Sequence, residues 1–100
     1  VADGRILVID DEPDIRDICR QTLESQGYAV TLCPLGEEGL AVAREHTFDL
    51  VLIDLMMVDV DGLSIQREIR LIDDNVATVV ITGEPTIETA VKAVREGASD

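Results

Sequence analysis

Apolar residues fall into two kinds of pattern along this chain. Unbroken short runs occur at Ile6-Leu7-Val8-Ile9, at Leu50-Val51-Leu52-Ile53 and at Val79-Val80-Ile81 within Ala77–Thr82. Runs without alternation suit strands covered on both faces, as in a parallel sheet. Ala29–Cys33 differs, because Val30 and Leu32 lie opposite Thr31; a half-polar strand belongs at a sheet's edge. Between the runs, apolar residues recur at helical spacing. Pro13 suits a first turn, Ile15, Ile18, Cys19, Thr22 and Leu23 follow in register, and Gly27 supplies the stop. Glu37–Glu45 is a weaker helix facing inward with Leu40 and Ala43, and Gly39 costs it about 1 kcal/mol relative to Ala. Leu63–Ile72 carries Ile65, Ile69 and Ile72 on one face and is broken by Asp73-Asp74-Asn75. Thr86–Glu96 sets Ile87, Ala90, Val91 and Val94 in register and closes at Gly97.

The order βαβαβαβα with short connections predicts an α/β fold, a doubly wound parallel sheet with flavodoxin-like strand order 2-1-3-4. One hundred residues suffice for a single domain, residues 1–100, without repeats or a linker. Charge changes the picture more than length does. Acidic residues number 21 against 8 basic ones, a net charge of −13, which argues against direct contact with nucleic acid or an anionic membrane. No secretory leader or membrane-spanning run is visible, so a cytoplasmic location is expected. Cys19 and Cys33 match neither a disulfide framework nor a zinc pattern and read as small buried thiols. His46, the only histidine, follows a helix and is expected to cap it.

Candidate chemistry gathers where strands end. The stretch Phe48–Gly62, FDLVLIDLMMVDVDG, delivers Asp54 at the end of an apolar run. Alone, that carboxylate could simply mark where a strand meets water. Two further strand ends, Asp10-Asp11 and Thr82, make a constellation. With order 2-1-3-4 the first and third strands are neighbours, and Asp10, Asp11 and Asp54 converge at the switch point. Carboxylates that close raise one another's pKa unless a cation intervenes. A hard, oxygen-seeking ion, Mg²⁺, fits such a set and commonly accompanies phosphate. Asp is also a competent phosphoryl nucleophile; the Thr82 hydroxyl at the next strand end could donate to a phosphoryl oxygen, although by itself Thr82 reads better as a β-branched strand residue chosen for propensity.

ILVIDDEPD, then LVLIDLMMVDVDG, then VVITG, at these intervals, resembles the receiver domain of two-component response regulators. The resemblance runs the length of the chain. It implies Asp54 as phosphoacceptor from a histidine kinase or phosphotransfer protein, Asp11 as direct Mg²⁺ ligand and Asp10 as a ligand mainly through water. It implies further that the backbone carbonyl of Met56 completes the metal shell and that Thr82 is the switch hydroxyl. An output domain C-terminal to the chain is implied as well, and TIETAVKAVREGASD is similar to nitrogen-regulation-type transcription activators.

The chain departs from the family pattern in two ways. Val58 stands where proline is usual, which leaves that φ unfixed. The fifth strand, ending in Lys-Pro, and the fifth helix are not in the chain. Its only lysine, Lys92, falls in a predicted helix, and no basic residue sits at any strand end. A receiver lacking that strand would expose the Val79-Val80-Ile81 edge and be either loosely folded or paired with another copy as a homodimer. Rival readings are a degenerate receiver serving only protein contacts, a haloacid-dehalogenase-type phosphatase and a flavodoxin-like nucleotide binder. The phosphatase pattern needs a second Asp two residues after the nucleophile, where Asp54 has Met56 and Asp10 has Glu12. The nucleotide binder needs a Gly/Ser/Thr-rich loop where DDEPD stands.

Overall fold

A computed structural model of the chain describes residues 4–54 and 59–81. Strands β1 (Arg5–Ile9), β2 (Ala29–Cys33), β3 (Leu50–Asp54) and β4 (Ala77–Ile81) alternate with helices α1 (Pro13–Ser25), α2 (Gly36–Glu45) and α3 (Gly62–Ile72). All pairings are parallel, in the order β2-β1-β3-β4. The expected fold class and strand order are both present. Thr82, Met56, Val58 and the predicted helix Thr86–Glu96 lie outside the described residues, as does everything expected of the chain beyond Ile81.

The unbroken apolar runs become the two inner strands. Ile6 to Ile9 and Leu50 to Ile53 are each at most 6% exposed, because helices cover both faces. On one face Ile6, Val8, Leu50 and Leu52 meet Cys19 and Leu23 of α1. On the other, Leu7, Ile9, Val51 and Ile53 meet Leu40 of α2 and Ile65 and Ile69 of α3. β2 sits at the sheet's edge, in line with its half-polar pattern. Both thiols are buried and unpaired. Burial, then the charge of Asp10, pushes Cys19 up to about 11, so it stays protonated.

Helix ends follow local chemistry. At the close of α1, Gly27 takes φ 95°, the left-handed conformation that favours glycine. Tyr28 N–H then bonds the Leu23 carbonyl (3.2 Å) and Gly27 N–H the Glu24 carbonyl (3.0 Å), a Schellman closure. His46 caps α2 through its backbone N–H, which donates to the Val42 carbonyl at 3.0 Å. Asp73 ends α3, its side chain accepting from Asn75 N–H at 3.0 Å. Asp49 holds the start of β1 by accepting from Arg5 N–H at 2.8 Å.

Three expectations need correction. Ile18 is 42% exposed: the inward stripe of α1 is Ile15, Cys19 and Leu23, and Ile18 lies about 100° round the helix from Cys19. Ile72 is 36% exposed, since α3 is ending there and its side chain borders a shallow depression with His46, Phe48 and Val76. β1 begins one residue early, so a basic residue, Arg5, does open a strand. It does so at the amino end, with its guanidinium 5.5 Å from the Phe48 ring centroid.

Gly39 is more than a weak helix former. A Cβ there would stand 2.3 Å from Cδ1 and 2.7 Å from Cγ1 of the fully buried Ile9. The helix therefore reaches the sheet only because this side chain is missing. Gly39→Ala should lower stability by about 1–3 kcal/mol, despite alanine's better helix propensity. Urea melts check this, and a more stable variant would show that α2 has room to retreat.

Candidate functional site

The site is built at the carboxyl ends of β1 and β3. Ile9 pairs with Ile53 in the parallel register, so the next residues, Asp10 and Asp54, stand side by side at the sheet's rim, Asp54 as the last residue of β3. Asp10 N–H continues the β1–β2 ladder one step, donating to the Cys33 carbonyl at 3.1 Å. Asp11 follows where the chain turns toward α1. One carboxylate oxygen from each of Asp10, Asp11 and Asp54 lies within 4.8 Å of the others. The structure thus brings together all three acidic residues singled out in the sequence.

Their environments differ. Asp10 is 3% exposed, whereas Asp11 and Asp54 are half-buried. Burial pushes the Asp10 carboxyl up to about 6, and the charges of Asp54, Asp11 and Glu12 push the same way. A hydrogen bond from Glu12 N–H to Asp10 Oδ1 (2.9 Å) works against that rise and orients the carboxylate. Around the site, α1 starts at Pro13 without a side-chain cap, and its amino end faces the acidic strand end.

Three residues of the surroundings were missed in the sequence. Arg16 Nη1 donates to the Asp10 carbonyl at 2.7 Å, pinning the main chain under the cluster. Its place in the first turn of α1 was the available signal. Asp59, five residues beyond Asp54, accepts from Gly36 N–H and Glu37 N–H, each at 3.1 Å. No local pattern announces that contact, because its partners are 22 and 23 residues away. Asp61 was also unremarked: it caps α3, with Oδ1 accepting from Leu63 N–H at 2.9 Å and Oδ2 from the Ser64 hydroxyl at 3.0 Å.

A buried aspartate beside two others, each an oxygen donor, is the kind of donor set that suits a hard divalent cation. Comparison with known proteins agrees with this construction: residues 6–100 match the response regulator receiver domain. The chain belongs to that family.

Among curated receivers, the transcriptional regulatory protein ZraR of Salmonella typhimurium is 38% identical over 95 residues. The match takes in 95% of this chain and 22% of that relative, so the chain spans about a fifth of its length. Among solved structures, NtrX from Brucella abortus, in complex with ATP, is 35% identical with a TM-score of 0.78, covering all of this chain and 23% of that one. The response regulator TrrA from Thermotoga maritima, in complex with Mg²⁺–BeF, is 31% identical with a TM-score of 0.77. That match covers 91% of this chain and 79% of that one. No helix among the described residues is long and apolar enough to cross a membrane.

The raised Asp10 pKa fixes a pH dependence for this receiver. Folded Asp10 binds its proton up to about pH 6, whereas an unfolded aspartate releases it near 3.9. The folded state therefore holds more protons between those values, and stability falls as pH rises through them. With chelator present, Asp10→Asn should be more stable than the parent at pH 7.5 by roughly 1–3 kcal/mol, and equally stable near pH 3.5. Denaturant melts at both pH values test the sign. A parent that gains stability between pH 4 and 6 while Asp10→Asn does not would refute it.

Proposed function

We propose that this receiver is a phosphoryl-accepting switch, with Asp54 as the acceptor and a histidine kinase or phosphotransfer protein as the donor. The reading is carried by the convergence of Asp10, Asp11 and Asp54 within 4.8 Å at the switch point of the sheet. In this reading an oxygen of Asp54 attacks phosphorus. The P–O bond forms as the P–N bond of the donor phosphohistidine breaks, and the imidazole leaves with the bonding electrons. The half-buried position of Asp54 at a strand's end leaves a face open to a donor.

Asp11, Asp10, Asp54 and the backbone carbonyl of Met56 would hold Mg²⁺, with Asp10 acting mainly through water. Mg²⁺, when bound, supplies positive charge that offsets the carboxylates and the phosphoryl oxygens. The protein's own part is preorganisation. Glu12 N–H orients the Asp10 carboxylate and Arg16 secures the Asp10 carbonyl. The apolar pair β1–β3 holds the acceptor next to its neighbours. Thr82 is the proposed switch hydroxyl, read from sequence. Its donation to the phosphoryl group would report phosphorylation to an output domain beyond this chain. We place the protein in the cytoplasm, in control of transcription, acting as a signalling module that assists its own phosphorylation and dephosphorylation. Direct nucleic acid or membrane contact is left to other segments, given the net charge of −13.

Incubation with a small acyl phosphate and Mg²⁺, followed by mass spectrometry, tests the acceptor. A single phosphoryl adduct is expected on Asp54 and none in Asp54→Asn, which keeps size and polarity but lacks the nucleophile. An adduct on Asp11 or Asp59 would overturn the assignment.

The metal has its own test. At Mg²⁺ a hundredfold above Kd the parent should gain about 2.7 kcal/mol of stability. Asp11→Ala should lose most of that gain. Asp49→Ala should start from a lower baseline, since Asp49 accepts from Arg5 N–H at the other end of β1, yet keep the gain. Equal gains in both variants would reject the ligand set.

A further inference from the structure

The amino end of α2 has no cap of its own. Its N-cap position is Leu35, extended at φ −127° and ψ 148°, without a side-chain acceptor. Unsatisfied N–H groups at a helix start need an acceptor, and here one arrives from a distant part of the chain. Asp59 receives Gly36 N–H on Oδ1 and Glu37 N–H on Oδ2, each at 3.1 Å. Packing makes the approach close. A Cβ on Gly36 would stand 2.3 Å from Val60 Cγ2 and 2.8 Å from Ile65 Cδ1, so only glycine lets the two segments meet this way.

These bonds link the start of α2 to the strand ends beside the acidic pocket. Asp10 N–H ties β1 to the end of β2 through the Cys33 carbonyl at 3.1 Å. Pro34 and Leu35 lead from Cys33 into Gly36, whose N–H reaches Asp59. From Asp59 the chain runs back to Asp54, whose carboxylate lies within 4.8 Å of that of Asp10. Desolvation is the largest single influence on Asp59 and raises its pKa, but the backbone amides that donate to it, Glu37 and Gly36 foremost, together outweigh it and leave the group below its ordinary value, so it is ionised, the stronger form of acceptor.

We propose that Asp59 is a positioning residue for the acidic pocket: its two hydrogen bonds to the amino end of α2 tie it to the strand ends that Asp10 N–H and the Cys33 carbonyl hold together. The inference rests on the reading of Asp10, Asp11 and Asp54 as an Mg²⁺ site. It adds that the pocket and α2 are coupled, so occupancy of one is felt at the other. Asp61 is the built-in comparison, since its carboxylate accepts from Leu63 N–H and the Ser64 hydroxyl and so caps the helix that follows it.

The test is a Mg²⁺ titration of the whole chain, followed by the backbone amide resonances of Asp10, Asp11, Asp54, Gly36 and Glu37. In the parent, all five should shift with one Kd. In Asp59→Ala the Kd should rise about 10-fold, and Gly36 and Glu37 should stop responding. Asp59→Asn keeps one acceptor oxygen and should fall between. It carries the same comparison if Asp59→Ala does not fold. Asp61→Ala should melt at lower temperature yet bind Mg²⁺ within about twofold of the parent. An unchanged Kd in both Asp59 variants overturns the inference, and so does an Asp61→Ala variant weakened as much as Asp59→Ala. A parent whose Asp10, Asp11 and Asp54 resonances ignore Mg²⁺ overturns the metal reading itself and takes this inference with it.

Discussion

Everything at this site depends on the register of β1 against β3. Pairing Ile9 with Ile53 brings Asp10 and Asp54 to the rim of the sheet at the same level. Two unit charges 4.8 Å apart repel by about 3–4 kcal/mol at an effective dielectric near 20. Opposing that are the eight residues Ile6–Ile9 and Leu50–Ile53, each at most 6% exposed, at about 1.5–3 kcal/mol of burial apiece. The core wins by a wide margin, even allowing for a compact unfolded state. A slip by one residue would turn every side chain of the strand to the opposite face and would draw a carboxylate toward the apolar interior. The carboxylates are thus held together by residues that take no part in their chemistry.

The repulsion is not left wholly uncompensated by the protein. Glu12 N–H meets Asp10 Oδ1, Arg16 meets the Asp10 carbonyl, and the amino end of α1 is turned toward both. None of these neutralises the cluster, as the raised Asp10 pKa records. What they do is limit how the carboxylates can relax away from one another. In the proposed reading, a cation held by these carboxylates would relieve the repulsion they are kept in, which is the electrostatic side of preorganisation.

Much of this was legible in the sequence, and the reason is physical. Doubly covered strands must be continuously apolar, so β1 and β3 were visible as unbroken runs, and the acidic residues ending them marked the rim. β2 showed itself as an edge through Thr31. Periodicity was less informative where a helix's apolar arc is narrow. Ile18 and Ile72 matched helical spacing but stand at the margin of the buried stripe or at a helix end. Gly39 looked like a propensity cost because sequence cannot show that Ile9 presses against its Cα. Met56 rests on family resemblance alone, and Thr82 on its place at a strand end together with that resemblance.

The least legible feature was the partnership of Asp59 with α2, and that follows from how caps are recognised. Asp61 caps a helix two residues later and leaves a local signature, an acidic residue just ahead of an apolar-periodic stretch. Asp59 caps a helix that precedes it by more than twenty residues, a relation set by tertiary packing. A local cap stabilises its own helix; a distant one makes two segments share a fate. The strength of that linkage is bounded, because Asp59 is exposed and water competes for the same amides. After that discount the two bonds are worth at most about 1–2 kcal/mol. Coupling free energies of that size change affinities by roughly 5- to 30-fold, and linkage requires the effect to be equal in both directions. On the proposed coupling, an ion that binds the acidic cluster more tightly when the start of α2 is held would steady that start in turn, and a partner that loosens α2 would weaken the cluster's hold on the ion by the same factor.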